Sequence, residues 1–319
     1  MSVFDDFVDI EGLALALDEP DAGNRRVAVM ALGDSADPDA IPLLVRAAGD
    51  ADAGVRQQAA LALGEFDGPD VAAALADALT DPHPAVAQAA AQSLTELKDP
   101  EAAAPLIAHA GHESALVRAA IFRGLRELRH PLALASAAAA LDDPHPSVRA
   151  EACSVIGWLK DEKALDHLIR AAKDPALEVR LVALGALGFS RSPRAGTALV
   201  AALRDPEWRA REIAAETLVR AGAPGAVDAL IAALADPAWQ VKLKAVRTLG
   251  RFAAVEAVPH IGPLFEEPLP NLRKECAAAL GEIADPAGMA FLLGAEDDPD
   301  PDVRKNVRWA LGRMSSGPH

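Results

Sequence analysis

Apolar residues recur along this chain at intervals of three and four, in stretches divided by short polar runs rich in Asp, Pro and Gly. That spacing lays one apolar stripe along a helix. The stretches keep a longer rhythm. Asp50, Asp81, Asp143, Asp174, Asp205, Asp236 and Asp298 lie at multiples of 31 residues from one another, and Glu19, His112 and Glu267 fill the intervening positions. Ten copies therefore start at 19, 50, 81, 112, 143, 174, 205, 236, 267 and 298, without insertion. A fixed period of this size marks stacked units, each burying its apolar face against its neighbours.

The acidic position is slot zero of each copy. Pro fills slot one in eight copies, from Pro20 to Pro299. Asp as N-cap with Pro at the first helical position predicts a helix start. Slot five is mostly Val (Val55, Val148, Val241), slot nine is small, and slot thirteen is Leu or Ile from Leu32 to Leu311. These make the apolar stripe. Slot fourteen is often Gly (Gly33, Gly64, Gly188, Gly250, Gly281), which suits a C-cap. Another helix starts near Pro38, Pro69, Pro100, Pro131, Pro193, Pro224 and Pro286, with Leu44, Leu75, Leu106, Leu168, Leu199, Leu230 and Leu292 inside it. Residues 1–18 share its register through Leu13 and read as a leading helix. The prediction is an all-α chain of ten antiparallel helix pairs in a single domain, 1–319. The helix after slot zero is the second helix of each pair.

The run Asp143-Pro144, Val148-Arg149, Ala152, Ile156-Gly157 resembles HEAT repeats of the short, phycobilisome-lyase-like type, and the likeness covers essentially the whole chain. The resemblance implies a right-handed α-solenoid whose second helices line a concave surface. It also implies two functional expectations. The first is a non-catalytic scaffold that binds a partner protein on that surface. The alternative is a maturation or chaperone-like subunit of the bilin-lyase type, acting on a dedicated client. HEAT-like di-iron hydroxylases carry repeated His-Glu pairs on inner helices. Here the one His-Glu, His112-Glu113, falls in a turn slot.

Composition agrees with helix. The chain has no Tyr, 4% aromatics and an excess of Ala, and Ala loses no side-chain entropy in a helix. No apolar run is long enough for a bilayer. The start, Met-Ser-Val-Phe-Asp-Asp, is acidic where a secretory signal is basic, so a cytoplasmic location is expected. Cys153 and Cys276 fall on apolar helix positions and read as core residues. His83 and His145 sit in Asp-Pro-His-Pro turns, and His167 and His260 lie three periods apart. No phosphate-loop, dinucleotide, zinc-protease or nucleophile-elbow motif is present. No catalytic residue, metal or cofactor is expected, and no enzyme activity can be assigned.

The acidic and basic columns read as a structural ladder of Asp–Arg contacts. Slot six is basic in nine of ten copies, with Ala87 the exception. Asp50, Arg56, Asp143, Arg149, Asp174, Arg180, Asp205 and Arg211 represent it. Slots seven, eleven and fifteen instead differ from copy to copy, as a tuned surface would. All four Trp residues lie in the second half. Trp208 and Trp239, with Leu181, Phe189 and Leu243, are expected to form an exposed apolar strip for a partner. Trp158 and Trp309 are further anchors. Lys244, Arg247, Arg251, Lys274, Lys305, Arg308 and Arg313 concentrate positive charge on the same face and suit an acidic peptide or a phosphate. Residues 1–111 carry a net charge of −15 and the rest −1. That balance disfavours nucleic acid as a partner. A protein partner and no membrane are expected, and the sequence leaves the oligomeric state open.

Overall fold

The computed structural model describes residues 9–315. Among the described residues there are twenty α-helices and no strand. The chain divides between Leu159 and Lys160 into two compact units, each a stack of five helix pairs. In the first unit α1 (Ile10–Ala16) pairs with α2 (Ala22–Asp34), α3 (Ile41–Ala47) with α4 (Ala53–Leu63), α5 (Pro69–Ala78) with α6 (Pro84–Ser93), α7 (Ala103–His109) with α8 (Ala115–Leu128), and α9 (Ala133–Ala140) with α10 (Pro146–Leu159). In the second unit α11 (Leu165–Ala171) pairs with α12 (Leu177–Leu187), α13 (Pro193–Ala202) with α14 (Trp208–Ala221), α15 (Ala226–Ala233) with α16 (Trp239–Arg251), α17 (Val258–Ile261) with α18 (Pro270–Ile283), and α19 (Met289–Gly294) with α20 (Pro301–Ser315). The leading helix is α1. Residues 1–8 of that expectation, with the acidic start, lie outside the described residues.

The two leucine columns form the core. Leu44, Leu75, Leu106, Leu199, Leu230 and Leu292 in the first helices are fully buried, as are Val55, Ala59 and Leu63 in α4 and Val241, Ala245 and Leu249 in α16. Each buried Leu contributes about 1.5–3 kcal/mol relative to exposure. A lone pair has nothing to cover its stripe, so this burial exists only in the stack.

Two local expectations are corrected, the second in part. The acidic slot does not cap its helix, because each helix starts three residues later. Asp52, at slot two, is the N-cap of α4 and accepts from the amides of Gly54 (2.9 Å) and Val55 (3.1 Å). In α6 and α18 the proline at the helix start is Pro84 and Pro270, at slot three. The Asp at slot zero makes an Asx turn instead. Asp50 accepts from the Asp52 amide at 2.8 Å, and Asp81 from that of His83 at 2.8 Å.

The C-cap expectation for the slot-fourteen glycines holds at Gly64 and Gly188, which cap α4 and α12, whereas Gly33, Gly250 and Gly281 lie inside the last turns of α2, α16 and α18. Gly33, Gly64, Gly188, Gly250 and Gly281 all keep negative φ. They let successive second helices touch. A Cβ at Gly250 would lie 2.9 Å from the Ala279 Cα, and one at Gly281 2.9 Å from the Ala310 Cα. Backbone at that distance leaves no room for a methyl group.

Candidate protein-binding face

The acidic and basic columns meet between copies. Arg56 donates from Nε and Nη2 to the two carboxylate oxygens of Asp81, at 2.6 and 3.0 Å. Its Nη1 donates to the carbonyls of Asp50 and Ala51, at 2.9 and 3.1 Å. One guanidinium therefore clamps the turn of its own copy to the next. The same geometry joins Arg25 to Asp50, Arg118 to Asp143, Arg180 to Asp205, Arg211 to Asp236 and Arg273 to Asp298. Lys242 reaches Glu267 at 2.5 Å. Arg149 donates to the carbonyls of Asp143 and Pro144 (2.9 and 3.2 Å), and Asp174 accepts from the Ala176 amide (2.8 Å).

The Arg25 guanidinium holds the Asp50 carboxyl below its ordinary range, Arg56 does so for Asp81, and Arg273 for Asp298, each against the opposing effect of burial. The bidentate fork is the reason. Where the base is missing, at Ala87, the facing slot holds no acid. His112 occupies it, and its Nδ1 takes the Ser114 amide at 3.0 Å as an Asp would.

These columns are occupied with holding the stack together. What remains for a partner is the outward side of the second helices. Trp158 (47% exposed), Trp239 (42%) and Trp309 (44%) stand there, and Phe189 (54%) follows in the turn after α12. Trp208, Leu181 and Leu243 are half-buried. Of the expected exposed apolar strip only Phe189 and Trp239 are exposed, and cations attend Trp158, Phe189 and Trp309. Arg129 lies 4.3 Å over the Trp158 ring. Lys160 and Arg220 lie 5.0 and 5.1 Å from the Phe189 ring centre. Arg313 lies 5.5 Å from that of Trp309. Such contacts hold a ring in place while leaving it accessible.

The expected cluster of positive charge is partly neutralised. Lys244 pairs with Glu216 (2.8 Å), and Arg247 grips Glu275 with two bonds of 2.8 and 2.7 Å. This second set of rungs links slot eleven of one copy to slot eight of the next, and Arg123–Glu151 at 2.9 Å repeats it. Sequence reading missed it. The visible signal was opposite charge at a separation of 28 residues. Arg251, Lys305, Arg308 and Arg313 have no ion-pair partner among the described residues.

Other candidate chemistry stays dispersed. His83 and His145 are exposed in their turns. Cys153 and Cys276 are buried and form no disulfide, and burial pushes the Cys276 thiol well above its usual range. Among the described residues no three His, Cys, Asp or Glu side chains are grouped to hold a metal. No described helix is long and apolar enough to cross a membrane.

Patterns of the HEAT-repeat family match residues 10–95, 73–142, 134–219, 197–268 and 258–318. The chain belongs to the HEAT-repeat family. Among solved structures this HEAT-repeat chain is similar to Kap95p, whose binding induces the switch loops of RanGDP to adopt the GTP-bound conformation. The TM-score is 0.67 at 16% identity, over 96% of this chain and 49% of Kap95p. It thus spans about half the length of that protein. It is also similar to the E. coli protein YibA (TM-score 0.55, 17% identity, 94% of this chain and 100% of YibA). An engineered protein matches with TM-score 0.52 and 20% identity, over 97% of this chain and 100% of its own. No match was found among curated proteins.

Proposed function

We propose that this HEAT-repeat protein is a non-catalytic scaffold that holds a partner protein along its second helices. The observation that carries this is the contrast between columns. Asp and Arg repeat because they staple copies together, while Trp158, Phe189, Trp239 and Trp309 are individual, large and exposed. Four large rings left about half exposed offer apolar area to a partner, and ordered aromatics are the side chains that carry protein interfaces. Within each unit most neighbouring second helices touch along their length, more than first helices do. That supports their layer as the inner one of each unit. Kap95p, of similar fold, binds RanGDP, which lends the reading further support.

The test is affinity capture of the tagged chain from host lysate, with the double variant Phe189→Ala, Trp239→Ala alongside. Both side chains are about half exposed, so the variant should stay folded by circular dichroism. A dominant protein captured by the wild type and lost with the variant is the expected result. Equal capture by both removes the aromatic face as the contact.

A further inference from the structure

In the second unit the rungs Glu216–Lys244 and Arg247–Glu275 cross between successive second helices. The next rung in the series would join positions 278 and 306. Ala278 has no side chain to extend, and Asn306 turns back to donate to the Asp302 carbonyl of its own helix at 2.9 Å. The space the rung would fill is an open groove of about 530 Å³ between α18 and α20. Lys274 and Lys305, both at slot seven, line it. Lys274 reaches only the Asn271 Oδ1, at 3.3 Å. Glu275 also lines the groove, but Arg247 engages both its oxygens. Asp302 is the one lining acid without an ion pair among the described residues. Trp309 completes the lining at 44% exposure. Its ring lies so close to Gly281 that a Cβ there would come within 2.6 Å of it.

We propose that this groove takes an acidic segment of a partner protein, and the assignment rests on the protein-binding reading above. A partner carboxylate sits between Lys274 and Lys305 where the missing rung would lie, and an apolar side chain of the same segment packs on Trp309. Two ammonium groups that form no ion pair, against one unpaired acid in the lining, Asp302, favour a carboxylate. An exposed Trp beside them adds the apolar anchor that a bare anion would not use.

The probe is a short fluorescein-labelled peptide of Asp, Glu and Leu, followed by anisotropy with the full chain at physiological salt. Its Lys-and-Leu counterpart is the control, and inorganic phosphate is the competitor. Saturable binding of the acidic peptide alone is expected. Lys274→Glu with Lys305→Glu should abolish it, and Trp309→Ala should weaken it about thirtyfold. Ala278→Glu places the chain's own carboxylate in the gap, on a helix surface that tolerates it, and should weaken binding at least about tenfold. Absent binding, equal binding of the basic peptide, indifference to Ala278→Glu, or displacement by equimolar phosphate would each overturn the assignment. If no peptide binds while lysate capture persists in Ala278→Glu and is lost in the Phe189, Trp239 variant, the groove fails and the scaffold reading stands.

Discussion

A single Asp at slot zero performs two tasks. Asp81 accepts the His83 amide (2.8 Å) and so shapes its own turn. It receives the Arg56 fork, and through it is tied to the carbonyls of Asp50 and Ala51. The column was legible in the sequence, but its job was misassigned. Asp-Pro satisfies the rule for a cap, and only the second proline of Asp81-Pro82-His83-Pro84 reveals where the helix begins. The carboxyls of Asp50, Asp81 and Asp298 are held below the ordinary value of 3.8. A depressed folded-state pKa adds stability that is fully present above the unfolded value and is lost as pH falls through the folded one. The melting temperature should therefore hold between neutrality and about pH 5 and fall steeply below about pH 4. Asp81→Asn should cost on the order of 1–2 kcal/mol at neutral pH, allowing for solvent at the staple's rim, and should flatten the acid limb. An unchanged acid limb in that variant would move the acid sensitivity to other carboxylates.

At the scale of the helix, stripe and period were readable because they are set by side chains that repeat. The close approach of second helices was not, since a missing side chain looks the same whether it serves a turn or a contact. Gly250 and Gly185 contrast a glycine at a contact with one facing open space. Gly250 lies against α18, and a Cβ there would meet Ala279 backbone at 2.9 Å. Gly185, inside α12, has nothing within 4 Å of the corresponding point. Gly185→Ala should stabilise the protein by about 0.5–1 kcal/mol, the difference in helix propensity. Gly250→Ala gains the same propensity but forces α16 and α18 apart, and should destabilise by about 1–3 kcal/mol. Chemical denaturation of the two variants tests this. Equal and favourable effects would show that the packed helices yield at little cost.

Across the molecule, stability in a repeat array is a sum of copies and of the joints between them, so the weakest joint decides where it opens. In the first unit that joint lies between the copies starting at 81 and 112. Three observations coincide there. The staple is absent, with Ala87 facing His112. Helices α6 and α8 touch far less than the neighbouring second helices α4 and α6 do. Residues 1–111 also carry a net charge of −15, which repels itself most at low salt. The missing staple was visible in the sequence, whereas the sparse contact was not, because it depends on how α7 settles against α5. Native-state hydrogen exchange should therefore show the helices of residues 10–93 opening together, at lower free energy than α8 to α10. Added salt should narrow the gap. The double change Ala87→Arg, His112→Asp supplies the fork and the Asx acceptor that the other copies use. It should raise the protection of the first three pairs by about 1 kcal/mol. His112→Asp alone adds one more acid to a crowded end and should not. Uniform protection from α1 to α10 in the parent protein would mean that packing of α5 on α7 already makes the joint as strong as its neighbours.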